Sequence, residues 1–166
     1  MSKTDLKIDW ATHEAAKYAV MHWHYSKRMP KSKLVKIGVW ENDVFIGVII
    51  FSYGATPNLC KPYGIKQIEC VELTRVALNN HISHVTKILK IAMLMLTKQS
   101  PNIRLLVSFA DQNEGHIGGI YQGGNWIYTG MTIPQKFPIL NGRIVHPRTL
   151  SDMVSANKIN RNNIKY

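Results

Sequence analysis

The run VFIGVIIFSY at residues 44–53 is apolar at almost every position, so no alternation divides a buried face from a solvated one. A strand of this kind must be covered on both sides, which places it centrally in a sheet with a layer against each face. The residues before it, Glu41-Asn42-Asp43, suit a tight hairpin back to an apolar segment at Ile37–Trp40. Downstream, Gln67–Leu78 predicts a third strand, with Val71, Leu73, Arg75 and Ala77 on one face by the two-residue period. Ile103–Phe109 predicts a fourth strand, again apolar on both sides, and Trp126–Thr129 a further short one.

Helices fill the intervals. Trp10–His24 predicts the first, with Thr12 as N-cap, Glu14 in the first turn, and an apolar side of Ala15, Ala16, Ala19 and Val20. Ser83–Gln99 predicts the second, with a stripe of Val85, Ile88, Leu89, Ala92, Met95 and Leu96, ended by Ser100-Pro101. Gly115–Gln122 fits a short third helix, broken at Gly123-Gly124. The fold class is therefore α/β: a mixed, mostly antiparallel central sheet flanked by helices. The expected organisation is one catalytic domain over residues 1–150 and a basic C-terminal tail over 151–166.

In sheets of this class, sites form beyond the carboxyl ends of the strands. Asp111, just past the Ile103–Phe109 strand, and the segment leading into Ser83 both occupy such positions. The segment from Val107 to Gly130 also gathers Asp111, Glu114, His116, Tyr121, Trp126 and Tyr128 among several glycines that allow close backbone approach. Asp111 is equally suited to capping the turn that follows it. Arg75 sits on an otherwise apolar face, either as a site cation or in a buried ion pair with Glu69 or Asp111.

The net charge of +11 over 166 residues favours a polyanionic partner such as DNA, RNA or an anionic cofactor. The charge is uneven. Lys27, Arg28, Lys31, Lys33 and Lys36 lie in a stretch without an acid, and Arg143, Arg148, Lys158, Arg161 and Lys165 face Asp152 alone. Either segment can hold phosphates or be a solvated loop. The two cysteines, Cys60 and Cys70, show no CxxC spacing, and the opening MSKTDLKIDW lacks the apolar run of a signal peptide. No stretch reaches the ~18 apolar residues of a membrane span. A cytoplasmic protein without a membrane partner is expected. No metal ligand is assigned and metal dependence stays open, with His81, His84, His116 and Asp111 as further possible ligands. His22 and His24 point about 200° apart on a regular helix, and no HExxH or cysteine cluster accompanies them or His81, His84 and His116.

Three segments carry a resemblance. FAD at 109–111 followed by GHIGGIYQGGNWIYTG at 115–130, HYSKRMP at 24–30, and ELTRVAL at 72–78 with Asn80 and Ser83 beyond it are similar, in the same order, to elements of the Mom family of phage DNA-modification proteins. Together they reach from about residue 22 to 130. The resemblance implies an acetyltransferase-like (GNAT) fold. It further implies transfer of a carbamoylmethyl-type group to the exocyclic amine of adenine in double-stranded DNA, shielding phage DNA from restriction in a bacterial host.

The residues carried over are Arg75, Ser83, Asp111 and Tyr121, with His116 and the His24-Tyr25-Ser26 element. In the implied mechanism Asp111, His116 and Tyr121 are catalytic, and Arg75 and Ser83 bind the donor. His24, Tyr25 and Ser26 shape the substrate pocket, while Lys27, Arg28, Lys31 and Lys33 hold the DNA backbone. Tyr25, Trp126 and Tyr128 are candidates to stack on a flipped base. One departure concerns the donor. Residues 78–83, where an acetyltransferase cradles the pyrophosphate of acyl-CoA on a glycine-rich turn, contain no glycine. This weighs against acetyl-CoA and leaves a charged tRNA as a possible acyl donor. The competing functions are an acyl-CoA-dependent N-acetyltransferase and a non-enzymatic DNA-binding protein.

Overall fold

The computed structural model describes residues 4–54, 56, 58–132, 137–145, 150 and 153–156. The chain divides into two compact units, Met1–Ile127 and Tyr128–Tyr166. Most of the tail expected at 151–166, with Arg148 and the basic residues Lys158, Arg161 and Lys165, lies outside the described residues.

The first unit is built on a five-stranded sheet in sequential order: β1 (Leu6–Trp10), β2 (Leu34–Glu41), β3 (Val44–Ser52), β4 (Cys70–Leu78) and β5 (Leu105–Val107). All neighbours are antiparallel except β4 and β5, which run parallel. The apolar run at 44–53 becomes the middle strand, with Val48, Ile49, Ile50 and Phe51 fully buried. Helix α1 (His13–Trp23) covers one face, where Ala16, Ala19 and Val20 meet Val48, Ile50 and Ala77. Helix α2 (Val85–Gln99) covers the other, where Ile88, Leu89, Ala92 and Leu96 meet Ile49, Phe51, Val71 and Leu73. Layers on both faces explain why β3 shows no alternation.

The β2–β3 hairpin turns on Asn42 and Asp43, both at positive φ (50° and 65°), the geometry whose twist matches antiparallel strands. Gly47 is required by β4: a Cβ there would lie 2.0 Å from the Ala77 carbonyl oxygen. The α1 start follows its cap. The Thr12 side chain accepts the Ala15 N–H at 3.1 Å.

Several expectations need correction. Trp10 belongs to β1, not to the helix; Lys7 and Asp9 alternate with the inward Leu6 and Ile8 along an edge strand paired to β2. Gln67–Glu69 is a 3-10 turn and β4 begins at Cys70. Val71, Leu73, Arg75 and Ala77 do not share a face. A bulge sets Phe51 opposite Leu73 but Ile50 opposite Arg75, leaving Thr74 as the extra residue. Leu73 therefore packs toward α2 and Ala77 toward α1. The Ile103–Phe109 strand is shortened to Leu105–Val107. No strand forms at Trp126–Thr129. The Trp126 N–H turns back to the Tyr121 carbonyl, and Ile127 and Tyr128 are exposed.

The second unit contains a hairpin the sequence reading did not anticipate, β6 (Ile139–Leu140) with β7 (Arg143–Ile144), joined by Asn141-Gly142 at positive φ. No helix among the described residues is long and apolar enough to cross a membrane.

Candidate active site

The parallel pairing of β4 with β5 covers only Cys70–Glu72 against Leu105–Val107. Beyond it β4 continues to Leu78 while the chain after β5 turns away, and a cleft of about 570 Å³ opens between them. Leu73 to Val76 and Leu78 line one wall. Phe109, Ala110 and Gly115 to Tyr121 line the other. Trp23, His24 and Tyr25 from the end of α1, and His81 and Val85 from the approach to α2, close the remaining sides.

The bulge at Thr74 aims Arg75 into this space. Its Nε donates to the Arg28 carbonyl at 3.4 Å and its Nη1 to the Thr74 carbonyl at 2.6 Å. Neither expected ion pair forms: Glu69 pairs with Arg104 at 3.1 Å, and Asp111 serves another purpose. Burial lowers the pKa of the guanidinium, with the Tyr25 hydroxyl and Glu72 opposing that shift.

His24 ends α1 as its C-cap and is 7% exposed. Its Nδ1 faces Ser26, and its ring lies 4.3 Å from that of Tyr25. Burial, with the charges of Arg75 and His116, pushes its pKa down to about 4. Tyr25 meets His116 edge-on at 5.0 Å. Burial and then the Asp111 carboxylate raise the Tyr25 pKa.

Tyr121 stands on α3 (Gly119–Gln122), packed against Trp126 at 5.2 Å. Its hydroxyl is 2.8 Å from the Ser108 hydroxyl, which is itself 2.9 Å from the Leu73 carbonyl. Ser108 has one proton and the carbonyl can only accept, so Ser108 donates to Leu73 and Tyr121 donates to Ser108. This chain ties the two cleft walls together. Burial raises the Tyr121 pKa, so the phenol stays protonated.

Asp111 does what a capping residue does: its Oδ1 accepts the Asn113 N–H at 3.1 Å at the start of a 3-10 turn. It follows the cleft-lining Ala110 without lining the cleft itself. Ser83 also lies outside the lining. Its N–H and that of Ile82 each donate to the Glu41 carboxylate at 2.7 Å. Burial acts to raise the Glu41 pKa, but these N–H groups and the Ser83 hydroxyl outweigh it and hold the pKa below the usual carboxylate range.

Lys27, Arg28, Lys31 and Lys33 are exposed; the Lys27 N–H donates to the carbonyl of the cleft-lining His24 at 3.0 Å, and the Arg28 carbonyl accepts from Arg75. Lys33 lines a separate hollow of about 500 Å³ with Gln99 to Ile103. Trp126 packs into the core rather than facing a base. Tyr128 is exposed in the second unit.

Residues 5–166 match the family model of the Mom protein family. The chain belongs to that family. Among curated proteins it is similar to the methylcarbamoylase Mom of Escherichia phage Mu, 22% identical over 151 residues. The match covers 89% of this chain and 62% of that protein, so the chain spans under two thirds of its relative's length.

Sequence reasoning therefore brought Arg75, His24, Tyr25, His116 and Tyr121 to one cleft and missed Ser108, Glu41 and the role of His81. Ser108 and Glu41 carry no local signal, since each gains its importance from a partner far along the chain. His81, read from sequence only as a possible metal ligand, sits on the cleft. Its Nδ1 is 3.0 Å from the Ser83 carbonyl, to which it must donate.

Proposed function

We propose that this protein transfers a carbamoylmethyl-type group to the exocyclic amine of adenine in phage DNA, within the cytoplasm of the bacterial host, and so shields that DNA from restriction. The observation that carries the reading is the convergence of Arg75, His24, Tyr25, His116 and Tyr121 on one cleft in a Mom-family chain of net charge +11. A duplex adenine hides its amine, so the base flips into the cleft at a cost of a few kcal/mol. Tyr25, half-exposed at the rim, offers the stacking face. Lys27 and Arg28 hold the neighbouring phosphates.

In this reading Asp111 takes the proton from the attacking amine, and His116, whose N–H donates to the Asp111 carbonyl at 3.2 Å, relays it. Tyr121, whose one proton goes to Ser108 in the structure, turns that O–H from Ser108 toward the departing group during transfer. Arg75 binds the donor. Ser83 spends its N–H on Glu41 and lies outside the cleft lining, so donor binding rests on Arg75.

The same Glu41 contacts disfavour the alternative of an acyl-CoA-dependent N-acetyltransferase. Two N–H groups on the approach to α2, where a pyrophosphate would seek donors, already hold a carboxylate. A charged tRNA remains compatible, as a polyanion, with the basic surface, but simple acyl transfer from it forms an amide and not the N–CH₂ bond of a carbamoylmethyl group. The deciding experiment is mass spectrometry of nucleosides from DNA of cells expressing the protein. A deoxyadenosine adduct of carbamoylmethyl mass is expected. Unmodified deoxyadenosine in phage DNA from the native host, with folded protein present, overturns the reading.

A further inference from the structure

The tautomer of His24 is legible from its contacts. The Ser26 N–H lies 3.1 Å from Nδ1, and the Ser26 hydroxyl lies 2.9 Å from the same atom. A backbone N–H can only donate, so Nδ1 presents its lone pair, and a neutral imidazole then carries its proton on Nε2. Among the described residues Nε2 has no hydrogen-bond partner, yet no buried side-chain nitrogen or oxygen lacks one. Nε2–H therefore opens into the cleft that His24 lines.

The surroundings keep the ring neutral. Arg75 from β4 and His116 from the loop before α3 both oppose a charge on it, Tyr25 covers its face, and it forms no ion pair. The depressed pKa agrees with this geometry. Arg75 presents a matching feature. Nε and Nη1 are committed to backbone carbonyls, and Nη2 has no protein partner among the described residues. One neutral and one cationic N–H donor thus stand on the same cleft with no acceptor assigned to either. Such a pair suits an oxygen with partial negative charge, and a neutral imidazole polarises a carbonyl without surrendering its proton.

We propose that His24, fixed as the Nε2–H tautomer by Ser26, and Arg75 form a subsite for the carbonyl oxygen of the transferred group. Ser26 is then a positioning residue rather than a substrate ligand. The inference rests on the transfer reading above only for the source of that carbonyl.

The test uses the full chain labelled with ¹⁵N at histidine and arginine, observed by long-range ¹H–¹⁵N correlation. The His24 signals, assigned by their loss in His24→Gln, are expected to show a protonated Nε2 and a bare Nδ1 from neutral pH down to mildly acid pH. A protonated Nδ1, or an imidazolium already formed at pH 6, overturns the proposal. Titration then compares N6-carbamoylmethyl-deoxyadenosine with deoxyadenosine. Only the first carries the carbonyl, and only it should move the His24 Nε2–H and the Arg75 Nη signals; equal shifts from both overturn the proposal. His24→Leu should weaken binding of the carbonyl-bearing nucleoside by about tenfold, the loss of one hydrogen bond. His24→Gln, which keeps a neutral N–H donor, should restore most of it. Should His24→Leu not fold, Ser26→Ala retains the ring and the backbone N–H to Nδ1 while removing the hydroxyl, and is expected to keep the Nε2–H tautomer and its response to the carbonyl-bearing nucleoside; a shift of the proton to Nδ1 in this variant overturns the positioning role of the backbone N–H. An intact subsite in a protein that leaves no adduct on DNA would sink the transfer reading instead.

Discussion

The central strands and the wall formed by residues 108–121 face each other across the cleft, and they are held by different means. Val48, Ile49, Ile50 and Phe51 of β3 are fully buried between two helical layers. The opposite wall has a three-residue 3-10 turn and a four-residue helix, and Ile117 on it is 83% exposed. Arg75 projects from β4 and His24 from the end of α1, each held by hydrogen bonds through its other nitrogens. Asp111, His116 and Tyr121 belong to the wall, tied back chiefly by the Asp111 cap and the Ser108–Tyr121 bridge. The contrast is between a scaffold whose packing places two donors and a wall held by short turns and local hydrogen bonds. Rigid placement of some groups and local turns for others is a common division in sites.

The largest effect tests the wall. Asp111→Asn keeps an oxygen for the Asn113 cap but removes the proposed base, so under the proposed transfer adduct formation should fall by about 10²–10⁴-fold with the unfolding midpoint unchanged. Retained activity would leave the loop with a purely structural Asp111. The next test addresses the contrast in packing. Ile49→Ala should destabilise the fold by about 2–5 kcal/mol, while Ile117→Ala should stay within about 0.5 kcal/mol, both measured by denaturant unfolding. Equal costs would erase the distinction between scaffold and wall.

Acid titration probes the scaffold's histidine. His24 titrates at about 4 when folded, below the ~6.5 of an unfolded-chain histidine. Between those values the unfolded chain binds more protons. The contribution of His24 is thus fully present above pH 6.5 and lost as pH falls toward 4, at most about 3 kcal/mol. The loss of stability between pH 7 and 4.5 should be smaller in His24→Gln than in the parent protein; equal losses would remove His24 as its cause. The smallest effect is at the rim. Lys27→Ala should lower the salt dependence of DNA affinity by about one counterion, whereas Lys33→Ala, at a separate hollow, should leave DNA affinity within the cleft nearly unaffected.

Much of the scaffold was legible because periodicity and capping are local. The Thr12 cap, the Asn42-Asp43 turn and the α2 stripe each follow from a few adjacent residues. The N-terminal strand was not legible, because five residues with charges at alternate positions signal a strand only once β2 supplies a partner. The Arg75 face was misjudged for a similar reason. A bulge is a mismatch of register between two strands, and nothing within ELTRVAL announces it.

The candidate site divides along the same line. From the amino-acid order alone came the α/β class, the basic character, the family resemblance, and the choice of Arg75, His24, Tyr25, His116 and Tyr121. Those depend on residue type and short-range spacing, which a linear chain already contains. Tertiary structure alone decided that Asp111 caps a turn, that Glu41 occupies the N–H groups before α2, and that Ser108 links β4 to Tyr121. It also decided which nitrogen of His24 faces the cleft. Hydrogen-bond direction depends on which groups meet in space, and that is settled only when the strands have chosen their partners.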